Sequence, residues 1–197
     1  MIDSRYITVK LHTLRRHLGE SGVSAVEMAL ILPLMLMMLF AIIDFGRVIQ
    51  ARLVLTNVAR EGGSLGSRDI QSATDLITML QNGASPLDLA TSGKIYIWKI
   101  RAGATKDAPY PAIDLQVSKN GGVLSVQSSI GSNVANLGLS TDLYKHLVFD
   151  SSAGKNTADI SEATVVEVFY KYTPITPILS MLNPGSNEMI LSSKAEF

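Results

Sequence analysis

The chain has 197 residues, 17 basic and 17 acidic side chains, and a mean hydropathy of +0.25. Zero net charge offers no electrostatic footprint for nucleic acid. The absence of cysteine excludes disulfides, thiolate metal sites and cysteine nucleophiles together. Length allows one ordinary domain plus extra segments, and the apolar surplus sits largely in the first quarter.

Residues 1–22 read as a basic, polar leader. Arg5, Lys10, Arg15 and Arg16 stand against Asp3 and Glu20, a net +2, which leaves −2 for the remainder. Val23 to Ile43 follows, with no charge from Met28 onward. At about 1.5 Å per residue this stretch is roughly 31 Å of helix, enough to cross a bilayer core of about 30 Å. Pro33 removes one backbone bond, to the carbonyl of Ala29, a break that membrane helices tolerate. Glu27 is the one carboxylate inside the span. Insertion costs about 2.5–3.5 kcal/mol for a charge at mid-membrane, while each Leu or Ile returns about 0.3–0.6. With a dozen or more large apolar residues the helix still inserts, and Glu27 lies only one turn from its edge. The basic leader predicts a cytoplasmic N-terminus and an exported C-terminal part. A secretory signal peptide is disfavoured, because AIIDFGRV after the apolar core holds no small-x-small cleavage site. The small residues lie in front of the core instead.

That order of basic leader, Gly22, Val23 and a Glu at the fifth position of the following helix resembles the type IV prepilin signal. Gly19 as the alternative site would put Ser24 in the place of the Glu. Beyond the cut, the run SAVEMALILPLMLMMLFAIIDFGRVIQARLVLTNVAREGG is similar to the TadE-like pseudopilins of tight-adherence (Tad/Flp) pilus systems. The early Pro33, the element Asp44-Phe45-Gly46-Arg47 and the ending Ala59-Arg60-Glu61-Gly62 carry the likeness, with Met28 where members place an aromatic residue. The resemblance covers about 43 residues. It implies cleavage between Gly22 and Val23 by a membrane prepilin peptidase. It also implies assembly with other pilin and pseudopilin subunits at an inner-membrane pilus platform. Glu27 would then neutralise the freed Val23 amine of a neighbouring subunit, since a charge in low dielectric needs a partner. The alternative role for Glu27 is simple reach into the headgroup layer.

Past the membrane, Ile43, Val48, Ile49, Leu53 and Val58 recur near helical spacing. One helix is therefore predicted from about Val23 to Glu61, stopped by Gly62-Gly63. Asp69 to Gln81 reads as a second amphipathic helix, with Ile70, Ala73, Leu76, Ile77 and Leu80 on one side. Lys94 to Arg101 alternates as a strand, Ile95 and Ile97 against Tyr96, Trp98 and Ile100. Ala112–Ser118 and Val123–Ser129 flank Asn120-Gly121-Gly122, a hairpin signal. Ser140 to Phe149 predicts a short helix capped by Ser140 or Thr141, and Asp150 to Thr157 a flexible stretch. Ala163 to Tyr172 is the strongest strand, with Val166, Val168, Tyr170 and Tyr172 on one face and Val165, Glu167 and Phe169 on the other. Its aromatic residues read as core in preference to a binding surface. Ile178 to Leu182 is a short apolar run, Asn183-Pro184-Gly185 a turn, and Glu188 to Phe197 a last strand that pairs back onto Ala163–Tyr172.

Two catalytic lookalikes lack their companions. Asp44-Phe45-Gly46 stands without a Gly-rich loop or catalytic loop, and Ser152-Ala153-Gly154-Lys155 stands without the other acylase motifs. His12, His17 and His146 have no carboxylates at ligand spacing, so no metal or other cofactor is expected. The expected fold is α+β: a leader (1–22), a long helix (23–62) that is transmembrane over about 23–43, and a small extracytoplasmic domain (63–197) with an antiparallel sheet, pilin-like. The expected function is a non-enzymatic minor pilin of the bacterial inner membrane. The partners expected are the prepilin peptidase, pilin subunits, the assembly platform and the lipid bilayer, not nucleic acid. The alternative is an uncleaved single-pass envelope protein whose C-terminal domain binds a ligand or tethers a partner.

Overall fold

A helix rich in Leu, Met, Ala and Ile, with a single proline, has little reason to stop. In the computed structural model it does not stop where the paired glycines suggest. The structure describes residues 4–69, 72–120, 124–133, 135–151, 157–176 and 188–197, with side chains from residue 22 onward except at 119 and 120. Helix α1 (Ser4–Gly66) begins inside the leader, passes through Pro33 and continues four residues beyond Gly62. The reason lies in packing. A Cβ on Gly62 would sit 2.7 Å from Leu80 Cδ1 and 3.2 Å from Val166 Cγ1, and one on Gly63 would overlap the Phe197 ring. These glycines let the helix backbone approach the sheet instead of ending it.

Helix α2 (Ala73–Gly83) starts later than Asp69, with Ser72 as N-cap accepting from the Asp75 amide. Asp69 is left in the preceding turn at φ 51°, paired with Lys99. Ile70 lies outside the described residues. A single turn of helix, α3 (Leu89–Ser92), leads into the sheet.

Strands β1 (Gly93–Arg101), β2 (Ala112–Asn120), β3 (Glu162–Tyr172) and β4 (Met189–Glu196) form one antiparallel sheet in the order β2-β1-β3-β4. The β3–β4 pairing runs from Val165↔Glu196 to Tyr172↔Met189, as the alternating patterns anticipate. The α+β expectation holds: a long apolar helix, then a small four-stranded antiparallel sheet. Period-2 alternation sends β1 and β3 side chains to two different cores. On one face Ile95, Ile97, Val166, Val168 and Tyr172 pack against Ala51, Leu55, Val58 and Ala59 of α1 and Leu76, Ile77 and Leu80 of α2. On the other, Tyr96, Trp98, Ile100 and Val165 pack against Ile130, Leu139 and Leu147. Tyr96 stacks on Trp98 at 6.1 Å and meets Phe169 edge-on. The aromatic residues of β3 are core, or half-buried against it.

The predicted hairpin after Ala112 is not formed. β2 pairs with β1 from Lys94↔Asn120 to Arg101↔Ala112, while residues 124–128 are not a strand and 121–123 lie outside the described residues. The later segment crosses the face of the sheet. Its Val126 carbonyl accepts from Lys94 Nζ (2.8 Å) and the Tyr96 hydroxyl (2.9 Å). The hydroxyls of Ser128 and Ser129, with the Ser129 amide, then satisfy the buried Glu167 carboxylate. A carboxylate in a core is costly without such donors, and supplying them holds this segment over the sheet. Helix α4 (Thr141–Leu147) is shorter than Ser140–Phe149, and the Ser140 side chain makes no cap bond. Instead its hydroxyl and amide donate to Glu196. The Asp150–Thr157 stretch is closed by a bridge between its ends. Residues 152–156, the Ile178–Leu182 run and the Asn183-Pro184-Gly185 turn lie outside the described residues.

Candidate functional site at the exit of the apolar helix

From Gly22 to Phe40 every residue of α1 is exposed, although Leu, Met and Ile dominate. A helix apolar on all sides and covered by none of the described residues fits lipid better than water. The stretch Gly22–Gly66 is one helix long and apolar enough to cross a membrane. Gly22 and Val23 lie within continuous helix, and Glu27 is exposed one turn further on. Pro33 sits inside the same helix.

At Asp44 the environment changes abruptly. Its side chain is only 1% exposed, on the same helix face as Leu55 and Ala51. The carboxylate accepts from the amides of Ile175 (3.3 Å) and Thr176 (3.2 Å) and from the Thr176 hydroxyl. The chain leaving β3 is thereby clasped onto α1 just where the apolar run ends. Sequence reasoning singled out Asp44 but not this role. The available signal was a carboxylate directly after an uncharged run, with nothing of opposite charge in the next turn on the core face.

The other marked positions separate by face. Ala59 and Gly62 are buried against the sheet, whereas Arg60 and Glu61 are exposed. Phe45 (64% exposed) points away from the domain and aligns with Ile42, Ile49 and Leu53, all exposed. Gly46 shares this outer band, and a Cβ there would meet nothing within 4 Å. Arg47 lies on the opposite flank, beside Tyr172, at a cleft of about 440 Å³ formed with the ends of β3 and the α2–β1 connection. Burial, reinforced by the Asp44 charge, pushes the Tyr172 hydroxyl above its ordinary range.

Among the described residues there is no cluster of three or more His, Cys, Asp or Glu side chains able to hold a metal. His146 does gain carboxylate neighbours that its sequence reading did not assign: Asp159 at 3.0 Å and, one helical turn back, Asp142 at 4.0 Å. All three are well exposed, His146 and Asp142 on α4 and Asp159 in the connection to β3, and they form a polar surface cluster.

Residues 22–64 match a family model described as TadE-like protein. No curated protein and no solved structure matches the chain.

Proposed function

From the match of residues 22–64 to the TadE-like family, we propose that the chain is a minor pilin of the Tad pilus system whose work is lateral packing of α1 against other pilin-type helices. Its first half would be anchored in the inner membrane and its C-terminal domain held outside the cytoplasm. It performs no chemistry of its own. In this reading a prepilin peptidase removes residues 1–22, and the mature subunit helps to start or extend the fibre from an inner-membrane platform.

The observation that carries the reading is the outer stripe of α1. Ile42, Phe45, Ile49 and Leu53 are exposed at helical spacing and continue past the apolar span, while the opposite face is filled by the sheet. Burying such side chains against a neighbour contributes about 1.5–3 kcal/mol each when complete. Glu27 precedes Phe45 by 18 residues, about five whole turns, so it lies on the same side of the helix as the stripe. A neighbour seated on that side brings its Val23 amine within the reach of Glu27 when the two helices are staggered along the axis. Inside lipid no hydrophobic drive joins helices, so shape and paired polar groups decide association.

The test is the intact mass and N-terminal residue of the protein from membranes, with and without an active prepilin peptidase. A mature chain beginning at Val23 only in the presence of the peptidase supports the minor pilin. A chain beginning at Met1 in cells with working peptidase overturns it in favour of a static, uncleaved anchor. Glu27→Gln should leave membrane insertion intact and lower co-purification of other pilin subunits at least several-fold.

A further inference from the structure

We propose that the cleft beside Arg47 and Tyr172 is a binding site for the phosphate of an anionic phospholipid headgroup. The site goes beyond subunit packing but rests on α1 spanning the membrane. Arg47 follows Ile43 by four residues, about 6 Å along the helix axis. The polar layer of a bilayer extends about 5–8 Å beyond the hydrocarbon on each side. The cleft therefore opens at headgroup depth.

Beside the apolar Ala51, Pro86 and Leu87, its lining carries donors from three elements, among them Arg47 and Gln50 of α1 and Tyr172 of β3. Three features point to an anion. No carboxylate of the described residues forms an ion pair with Arg47, whereas Lys171 is held by Glu188 at 2.5 Å. The nearby Asp44 carboxylate is already turned to Ile175 and Thr176. Tyr172 is 4% exposed; its hydroxyl lies beside the Arg47 guanidinium but completes no well-formed hydrogen bond among the described residues, and a buried polar group left this way calls for an explanation. A tyrosine hydroxyl is a proton donor at neutral pH, so it can donate to a phosphate oxygen beside the guanidinium, which suits phosphate in charge and shape.

A lipid is favoured over a free phosphate by the surroundings. At the same end of the sheet Ile175, Met189 and Ile190 are exposed, with Met189 opposite Tyr172 and Ile190 opposite Lys171. An apolar fringe next to a basic, tyrosine-lined cleft matches the chemistry of a membrane interface.

Native mass spectrometry of the detergent-purified full chain tests this with added phosphatidylglycerol, phosphatidylcholine, glycerol phosphate or inorganic phosphate. The expected result is at least fivefold more retained phosphatidylglycerol than phosphatidylcholine, at one lipid per chain. Arg47→Gln should abolish that preference and Tyr172→Phe should weaken it several-fold, while Arg52→Gln, an exposed arginine outside the cleft, leaves it unchanged. Melting of each variant within about 2 °C of the parent separates loss of the site from loss of the fold. Equal retention of the two lipids, or a preference that survives both cleft variants, overturns the proposal. Tight binding of glycerol phosphate or inorganic phosphate with no gain from the acyl chains overturns the lipid assignment. Failure of the chain to insert into liposomes strikes the membrane anchor itself, which is a separate result.

Discussion

Replacing Asp44 with alanine should loosen the grip of the sheet domain on the long apolar helix. The carboxylate is 1% exposed and receives two amide bonds at 3.3 and 3.2 Å and the Thr176 hydroxyl. Hydrogen bonds to a charged group contribute about 1.5–3 kcal/mol each. The two amide bonds are long, and Ile175 and Thr176 are open enough to water for released donors to be rehydrated in part. The net loss is therefore nearer the worth of a single such bond, about 2–3 kcal/mol. For a folded part of this size, about 3–4 °C is lost per kcal/mol, which places the melting temperature about 6–12 °C below the parent. Asp44→Asn keeps one acceptor oxygen and should lose roughly half as much. Thermal denaturation of the full chain by circular dichroism reads the first quantity. Hydrogen exchange over residues 173–176 reads the cause, since the two amides should lose protection. A melt within about 2 °C of the parent and unchanged exchange at 175–176 would refute the clasp.

Two glycines of α1 should respond in opposite ways. Gly62→Ala drives a methyl against the buried Leu80 and Val166. Overpacking of about 1–3 kcal/mol should exceed the helix-propensity gain of about 1, so the melting temperature falls. Gly46→Ala meets open space and should hold or raise stability by up to about 1 kcal/mol. If that face receives a neighbouring helix, the same change lowers recovery of the subunit in pilus preparations several-fold. Unchanged assembly removes Gly46 from the contact. Glu196 sets an acid limit. Burial alone pushes its carboxyl up, but donation from Lys194 and Ser140 outweighs this and holds it below its ordinary value near 4.5. A lowered folded-state value means its contribution is complete above the unfolded value and fades as pH falls through the folded one. Stability measured from pH 6 to pH 3 should drop less steeply in Glu196→Gln. An identical slope would show that this carboxylate does not link folding to protons.

The helix long and apolar enough to cross a membrane was legible from residue types alone, because its physics is local: an uncharged run of the right length needs no partner to be identified. The strands Lys94–Arg101 and Ala163–Tyr172 were legible for a related reason. Alternation with period two survives whichever element covers each face. What escaped depended on contacts between residues distant in the chain. Gly62-Gly63 carries the composition of a helix stop, and only the arrival of Leu80, Val166 and Phe197 turns it into a close-packing surface. Asn120-Gly121-Gly122 promises a hairpin, but the strand before it pairs with β1, and the segment after it is held across the sheet by the donors that the buried Glu167 requires. Asp44 shows the division most clearly. Its placement after the apolar run was visible in the sequence, yet its partners lie 131 and 132 positions away. Composition and periodicity determine which segments are helix, strand or membrane span. Which buried charge meets which donor is decided only when the folded chain brings them together.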